Sequence, residues 1–166
     1  MSQSETPRAF LERHLQSILE NDVAAYHAST VPELTLYEWY VTPHRIDGLG
    51  FHDFLMAESA RPDTPATALD PAGRAGRAAD RVPSEAREKT RERFDLANYS
   101  EQIYGDWAVC CYTLLISRGT AEGTSVRSHH ETRVLGRVDG EWKVVHVHKS
   151  PAWKAPYQSE LGVARL

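Results

Sequence analysis

Cysteine is nearly absent from this chain of 166 residues: there are two, Cys110 and Cys111, and they are adjacent. Neighbours on an extended strand point to opposite faces, so the pair is poorly placed to bridge itself and gives no disulfide framework. That usage fits a reducing compartment, and the expectation is cytoplasmic. Long apolar runs are missing too. None approaches the ~20 residues that a helix needs to cross a bilayer. The opening MSQSETPRAF lacks the basic-then-apolar order of a secretory signal, so no membrane is expected as a partner. Nor is positive charge in excess: 19 Lys and Arg against 23 Asp and Glu give a formal net charge of −4. Phosphate backbones are held by clustered cations, so nucleic acid is not an expected partner either. No internal repeat is visible. The remainder, 41% apolar and 25% charged, is ordinary for a globular protein, and the length suits one domain over residues 1–166.

Thr6-Pro7 offers a hydroxyl cap followed by proline at the first helical position. Behind it Leu11, Leu15, Ile18 and Leu19 recur at helical spacing, with Glu12, Arg13, Gln16 and Glu20 on the other side. Asp22 can cap a second short helix, VAAYHAS, whose Val23 and Tyr26 are expected to face inward. PELTLYEWY, from Pro32 to Tyr40, alternates and is rich in aromatics, which predicts a strand. DGLGFHDFLMAES then predicts a loop and a helix with Phe51, Phe54 and Leu55 as its apolar face. The segment 61–93 changes composition. It carries four prolines and many charges but few large apolar residues, and it predicts an inserted segment, first a mobile loop and then a charged helix in SEAREKTRERF.

From Phe94 the period becomes two. FDLANYSEQIYG predicts a strand. WAVCCYTLLIS, Trp107 to Ser117, is nearly all apolar, as in a central strand covered on both faces. SVRSHHETRVLGRV and EWKVVHVHKS follow, joined by Asp139-Gly140, a strong hairpin signal. Helices first and an antiparallel meander last give an α+β fold, with helices packed on one face of a curved sheet. If Asp139 and Gly140 form a two-residue turn, Val138 pairs with Glu141, Leu135 with Val144, Arg133 with His146 and Glu131 with His148. Opposed residues share a face. That places Glu131, Arg133, His146 and His148 on one side, and Thr132, Val134, Val145, Val147 and Lys149 on the other. A β-bulge near the strand's end would bring Lys149 round to join Arg133.

The motif ETRV–GRVDGEWKVVHVHKS, with IDGLGFHDFL and LQSILENDVAAYHAST before it, resembles the association (hub) domain of calcium/calmodulin-dependent protein kinase II, in the nuclear transport factor 2-like (NTF2-like) superfamily. The similarity covers most of the chain outside residues 61–93. It implies an NTF2-like cone: a strongly bent antiparallel sheet wrapped against the N-terminal helices, enclosing a pocket that takes small carboxylates. Carried over by position, the resemblance implies Arg133, Lys149, His52, Tyr26 and Glu38 as pocket residues. Lys149 stands where the family has arginine, which keeps the charge and loses the bidentate fork. Leu114 stands where the family has a further arginine, so a more apolar acid or weaker anion binding is implied. An aromatic expected near Ala60 is also missing. The resemblance implies no kinase activity, since kinase and calmodulin-binding segments are not among these residues. It does imply self-association, as a homodimer through the sheet's outer face. Ring assembly is not expected, because the insertion stands in the way of lateral contacts.

His129, His130, His146 and His148 include an H-x-H pair, a weak metal motif without outer ligands, so no metal and no cofactor are expected. Trp39, Trp107, Trp142 and Trp153 are spread over separate elements and predict core and interface packing, not a stacking platform. His52, Glu38 and Tyr26 could be acid–base groups of a small cofactor-free lyase, isomerase or cyclase, with Arg133 holding an anion. The preferred expectation is a non-catalytic pocket binding a small organic acid. Its competitor is a buried Arg133–Glu131 pair satisfied without any ligand.

Overall fold

The computed structural model describes residues 5–59, 91–120 and 123–152. Helix α1 spans Pro7–Leu19, and its Ala9 N–H donates to Thr6 Oγ1 at 3.2 Å, so the hydroxyl cap and the proline act as their sequence suggests. Helix α2, Val23–Ala28, is capped in the same way by Asp22, whose carboxylate accepts from Ala25 N–H at 3.0 Å. Strand β1 follows at Thr30–Glu38, then a two-residue strand β2 at Ile46–Asp47 and helix α3 at Gly50–Ser59. Four long strands complete the fold: β3 Arg91–Tyr104, β4 Trp107–Thr120, β5 Gly123–Val138 and β6 Glu141–Pro151. None of the described helices is long and apolar enough to cross a membrane.

The strands form one curved six-stranded sheet in the order β2-β1-β6-β5-β4-β3. The meander β3 to β6 is antiparallel, as its short turns require, but β1 lies parallel to the last strand, β6. Asp139 and Gly140 both have positive φ, +53° and +84°, the conformation of the two-residue hairpin turn. The core lies between α1 and the sheet's inner face. Phe10, Leu11 and Leu15 from the helix cover Leu34 and Leu36 of β1, and Cys110, Leu135 and Val147 of the central strands.

Sheet register is where the sequence expectation needs correction. Val138–Glu141 and Leu135–Val144 pair as the turn dictates, but Val134 then pairs with His146, leaving Val145 as an extra residue. This bulge reverses the facing of everything beyond it. Arg133 is therefore opposite Val147, not His146, and Glu131 is opposite Lys149, not His148. Lys149 joins Arg133 on the inner face, while His146 and His148 turn to the outer one. The bulge rests on a glycine. A Cβ at Gly136 would lie 3.2 Å from both Trp107 Cζ3 and Val145 Cγ2, so the missing side chain makes the room that the extra residue occupies.

Other differences are local. Tyr26 is buried as expected, but Val23 is exposed. On α3 the buried residue is Met56, not Phe54, which is 60% exposed. Trp142 is in the core and donates its indole N–H to Glu5 O at 3.1 Å, whereas Trp107 is half exposed. Strand β4 is buried on its inner face alone: Val109, Cys111 and Leu115 on the outer face are half-buried. The inserted segment 61–93 lies outside the described residues except for Arg91, Glu92 and Arg93. These open β3 as strand where a helical end was expected. Trp153 also lies outside them.

Gly136→Val is expected to destabilise the fold by about 1–3 kcal/mol, the usual cost of forcing extra methyls into a packed site. Urea unfolding followed by circular dichroism measures it, and an unchanged midpoint would contradict the packing of Gly136 against the bulge.

Candidate functional site

The register produced by the bulge sets a row of polar side chains across four strands. Glu38 of β1 is level with Lys149 of β6, Lys149 with Glu131 of β5, and Glu131 with Tyr112 of β4. Opposed residues share a face, so all four point inward. One row further toward the β5–β6 turn, Arg133 is level with Cys110 and Val147. All five residues expected at the site, Arg133, Lys149, His52, Tyr26 and Glu38, line one cavity of about 590 Å³ between sheet and helices. Tyr26 arrives from α2 and His52 from the first turn of α3.

Arg133 is 2% exposed and does not stand free. Its Nε donates to Glu131 Oε2 at 2.9 Å and to Tyr112 Oη at 2.8 Å, and Tyr112 in turn donates to Glu131 Oε2 at 2.6 Å. Its Nη1 donates to His14 Nε2 at 2.6 Å. A guanidinium has no acceptor atom, so His14 must accept at Nε2 and carry its proton on Nδ1, which donates to Ser29 Oγ at 2.7 Å. The hydroxyl of Ser29 reaches the carbonyls of Ala25 and Tyr26, tying α1, α2 and β5 together. On the other side of the carboxylate, Glu131 Oε1 is 2.7 Å from His129 Nε2 and 3.9 Å from Lys149 Nζ.

The second ion pair is Lys149 with Glu38. His52 Nε2 lies 3.6 Å from Glu38 Oε1, and Tyr26 Oη hydrogen-bonds His52 Nδ1. Burial would raise the Glu38 pKa, but the Lys149 ammonium, with the His52 and Tyr40 side chains beside it, outweighs that and holds the carboxyl at about 2. Glu131 is held well below the usual range against the same burial, mainly by Arg133. Burial lowers His52 below its ordinary 6.5, and burial with the nearby Arg133 charge lowers His14 much further. Burial pushes Tyr26 up to about 12.

The floor of the pocket thus holds two cations and two carboxylates, and its charges cancel. The competing reading of Arg133, a guanidinium already satisfied by Glu131, describes its contacts. Beyond the floor the walls are apolar, with Leu114 and Ile116 of β4 and Phe94 of β3 facing Leu15 and Ile18 of α1. Leu114 therefore lines the pocket in the place where the resemblance expected an arginine. Among the described residues no group of three or more His, Cys, Asp or Glu is arranged to hold a metal ion. Sequence reasoning missed His14 as a site residue. It sits on the buried stripe of α1 between Leu11 and Leu15, and a lone polar residue on an apolar stripe was the available signal. It also missed Tyr112 and Tyr40, which carry no motif, and considered His129 only as a metal ligand.

The description of the calcium/calmodulin dependent protein kinase II association domain matches residues 5–69 and 77–153, and the chain belongs to this family. No curated protein matches it. Among solved structures, it is similar to the hub homology domain from Chlamydamonas reinhardtii. That match has 23% identity and a TM-score of 0.71, covering 92% of this chain and 100% of that one. The association domain of the C. elegans kinase matches at 21% identity and a TM-score of 0.59, over 86% of this chain and 94% of that one. A putative ketosteroid isomerase from Shewanella frigidimarina shares 16% identity with a TM-score of 0.55, over 85% and 91%. At these identities the likeness establishes the fold, the NTF2-like α+β cone.

The buried groups set a pH dependence whose sign follows from their shifts. Folded His14 and His52 bind protons less readily than when unfolded, so stability falls as pH drops below about 6.5. Folded Glu38 also resists protonation. Its contribution is present above its ordinary 4.5 and is lost as pH falls through about 2. Urea midpoints measured from neutral pH downward are expected to decline in these two windows. Glu38→Gln is expected to be less stable at neutral pH and to lose part of the lower decline.

Proposed function

We propose that this chain is a non-catalytic, self-associating domain: a homodimer formed across the sheet's outer face, with an internal pocket that takes a small organic acid. The observation that carries this reading is the outer face of the neighbouring strands β4 and β5. On β4 it presents Trp107, Val109, Cys111, Thr113, Leu115 and Ser117. On β5 it presents Val126, Ser128, His130, Thr132, Val134 and Val138, with Gly136 between the last two. Not one of these positions carries a formal charge. A strand with one face in water usually alternates apolar residues inward with polar ones outward, and depletion of charge is what marks the core of an interface. The near-continuous apolar sequence of β4 then has a reason on both sides, one face for the core and one for a second copy.

Family membership supports self-association as the role. The same reading takes residues 1–166 as one domain with an insertion at 61–93, sets it in the cytoplasm, and favours a dimer over a ring. The state of the polar groups weighs against the enzymatic alternative. A carboxyl with a pKa of about 2 is a weak base at neutral pH, and both ring nitrogens of His52 face partners, Tyr26 on one side and Glu38 on the other. Groups so engaged hold the helices to the sheet and are not poised to move a substrate proton.

Light scattering coupled to size exclusion is expected to give twice the mass of one chain at micromolar concentration. Val109→Glu sets a charge in the middle of the outer face and is expected to yield monomers with unchanged far-ultraviolet circular dichroism. A wild-type monomer would overturn the proposal.

A further inference from the structure

The pocket has a direction, and its chemistry changes along it. On the inner face of β5 the residues in order are Glu131, His129 and Arg127, and beside them on β4 stand Tyr112, Leu114, Ile116 and Arg118. Each two-residue step advances ~6.7 Å along a strand, so Arg127 lies ~13 Å from Glu131, toward the open end. At the floor, every cation already has an acid. A carboxylate placed there must compete with Glu38 or Glu131 for the same N–H groups, and any acid it displaces becomes a buried charge without a partner. In the middle, the Leu114–Ile116–Phe94 wall offers nothing to an anion and much to a hydrocarbon. At the rim the balance reverses. Arg127 is exposed and has no acidic partner among the described residues. The Arg118 Nε–H is buried and makes no aligned hydrogen bond, although Glu92 Oε1 is 3.1 Å away.

We propose that the pocket's occupant is a linear amphipathic monocarboxylic acid, with its carboxylate at Arg127 and Arg118 on the rim and its hydrocarbon chain laid inward along the Leu114–Ile116–Phe94 wall. The inference rests on the reading of the pocket as an organic-acid site and fixes the ligand's class and orientation, head at the mouth and tail toward the floor. The cavity, about 590 Å³, is in the range of small-molecule sites. Affinity then comes mainly from buried methylenes, and the rim arginines select an acid over a neutral chain of the same length.

Isothermal titration calorimetry with sodium acetate, hexanoate and octanoate, and with neutral octanol, tests this on the full chain. Affinity is expected to rise about fourfold per methylene, the equivalent of ~0.8 kcal/mol for each CH₂ removed from water. Arg127→Ala, an exposed change that leaves the fold intact, is expected to weaken octanoate about tenfold and to leave octanol unaffected. Arg118→Gln is the second variant, with the same expectation. If acetate binds as well as octanoate and neither rim variant matters, the proposed orientation is overturned while the organic-acid site stands. If no acid binds to folded protein, both fall. If octanol binds as tightly as octanoate, the rim arginines have no selecting role and the proposal is overturned.

Discussion

A guanidinium at Arg133, shut away from water in the middle of a sheet, would be intolerable without a counter-ion, and Glu131 two residues earlier on the same strand supplies it. Removing a charge from water costs several kcal/mol even after relaxation, so such a pair survives only if its remaining donors and acceptors are also met. Here they are met from four directions. Tyr112 bridges the two charges, His129 takes the second carboxylate oxygen, His14 receives the guanidinium from the helix layer, and the Lys149–Glu38 pair extends the row to β1. The cluster is thus the joint between helices and sheet. It fixes the tautomer of His14, depresses the two carboxyl pKa values, and decides that the deep end of the pocket is polar yet without net charge.

One inserted residue, Val145, makes that joint possible and shapes the opposite face as well. Without it Lys149 would point outward and leave Glu38 with no ammonium. His146 and His148 would crowd the interior. With it, Lys149 joins the charges of the inner face, while on β4 and β5 unbroken alternation leaves valines, threonines and other uncharged residues outside. An uncharged outer face and a compensated interior thus stand on opposite sides of one sheet. Both support the functional reading proposed above, a domain that holds a copy of itself.

Much of this was legible from the sequence. Thr6-Pro7, Asp22 and Asp139-Gly140 act through local backbone chemistry, so the helix starts and the final hairpin needed no tertiary information. The five pocket residues were legible only through family resemblance, since Tyr26, Glu38, His52, Arg133 and Lys149 sit on five separate elements and no spacing links them. The bulge could be named as an option but not placed. The run VVHVH has valines on both parities, so a slip of one residue leaves an apolar pattern equally good on either face. The apolar face of α3 was misread for a similar reason: Phe51, Phe54, Leu55 and Met56 are apolar on most sides and give helical periodicity little contrast. His14 was overlooked because its role is set by Arg133, which is 119 residues away in sequence.

The most direct test of the central claim is a double-mutant cycle on the buried pair, with unfolding free energies for Arg133→Met, Glu131→Leu and the two together. If the charges compensate each other, each single change strands its partner and costs about 3–5 kcal/mol, and the double change recovers most of that loss. Strictly additive costs, or a single change that leaves stability untouched, would contradict the account and return Arg133 to the pocket as a cation free to meet a ligand.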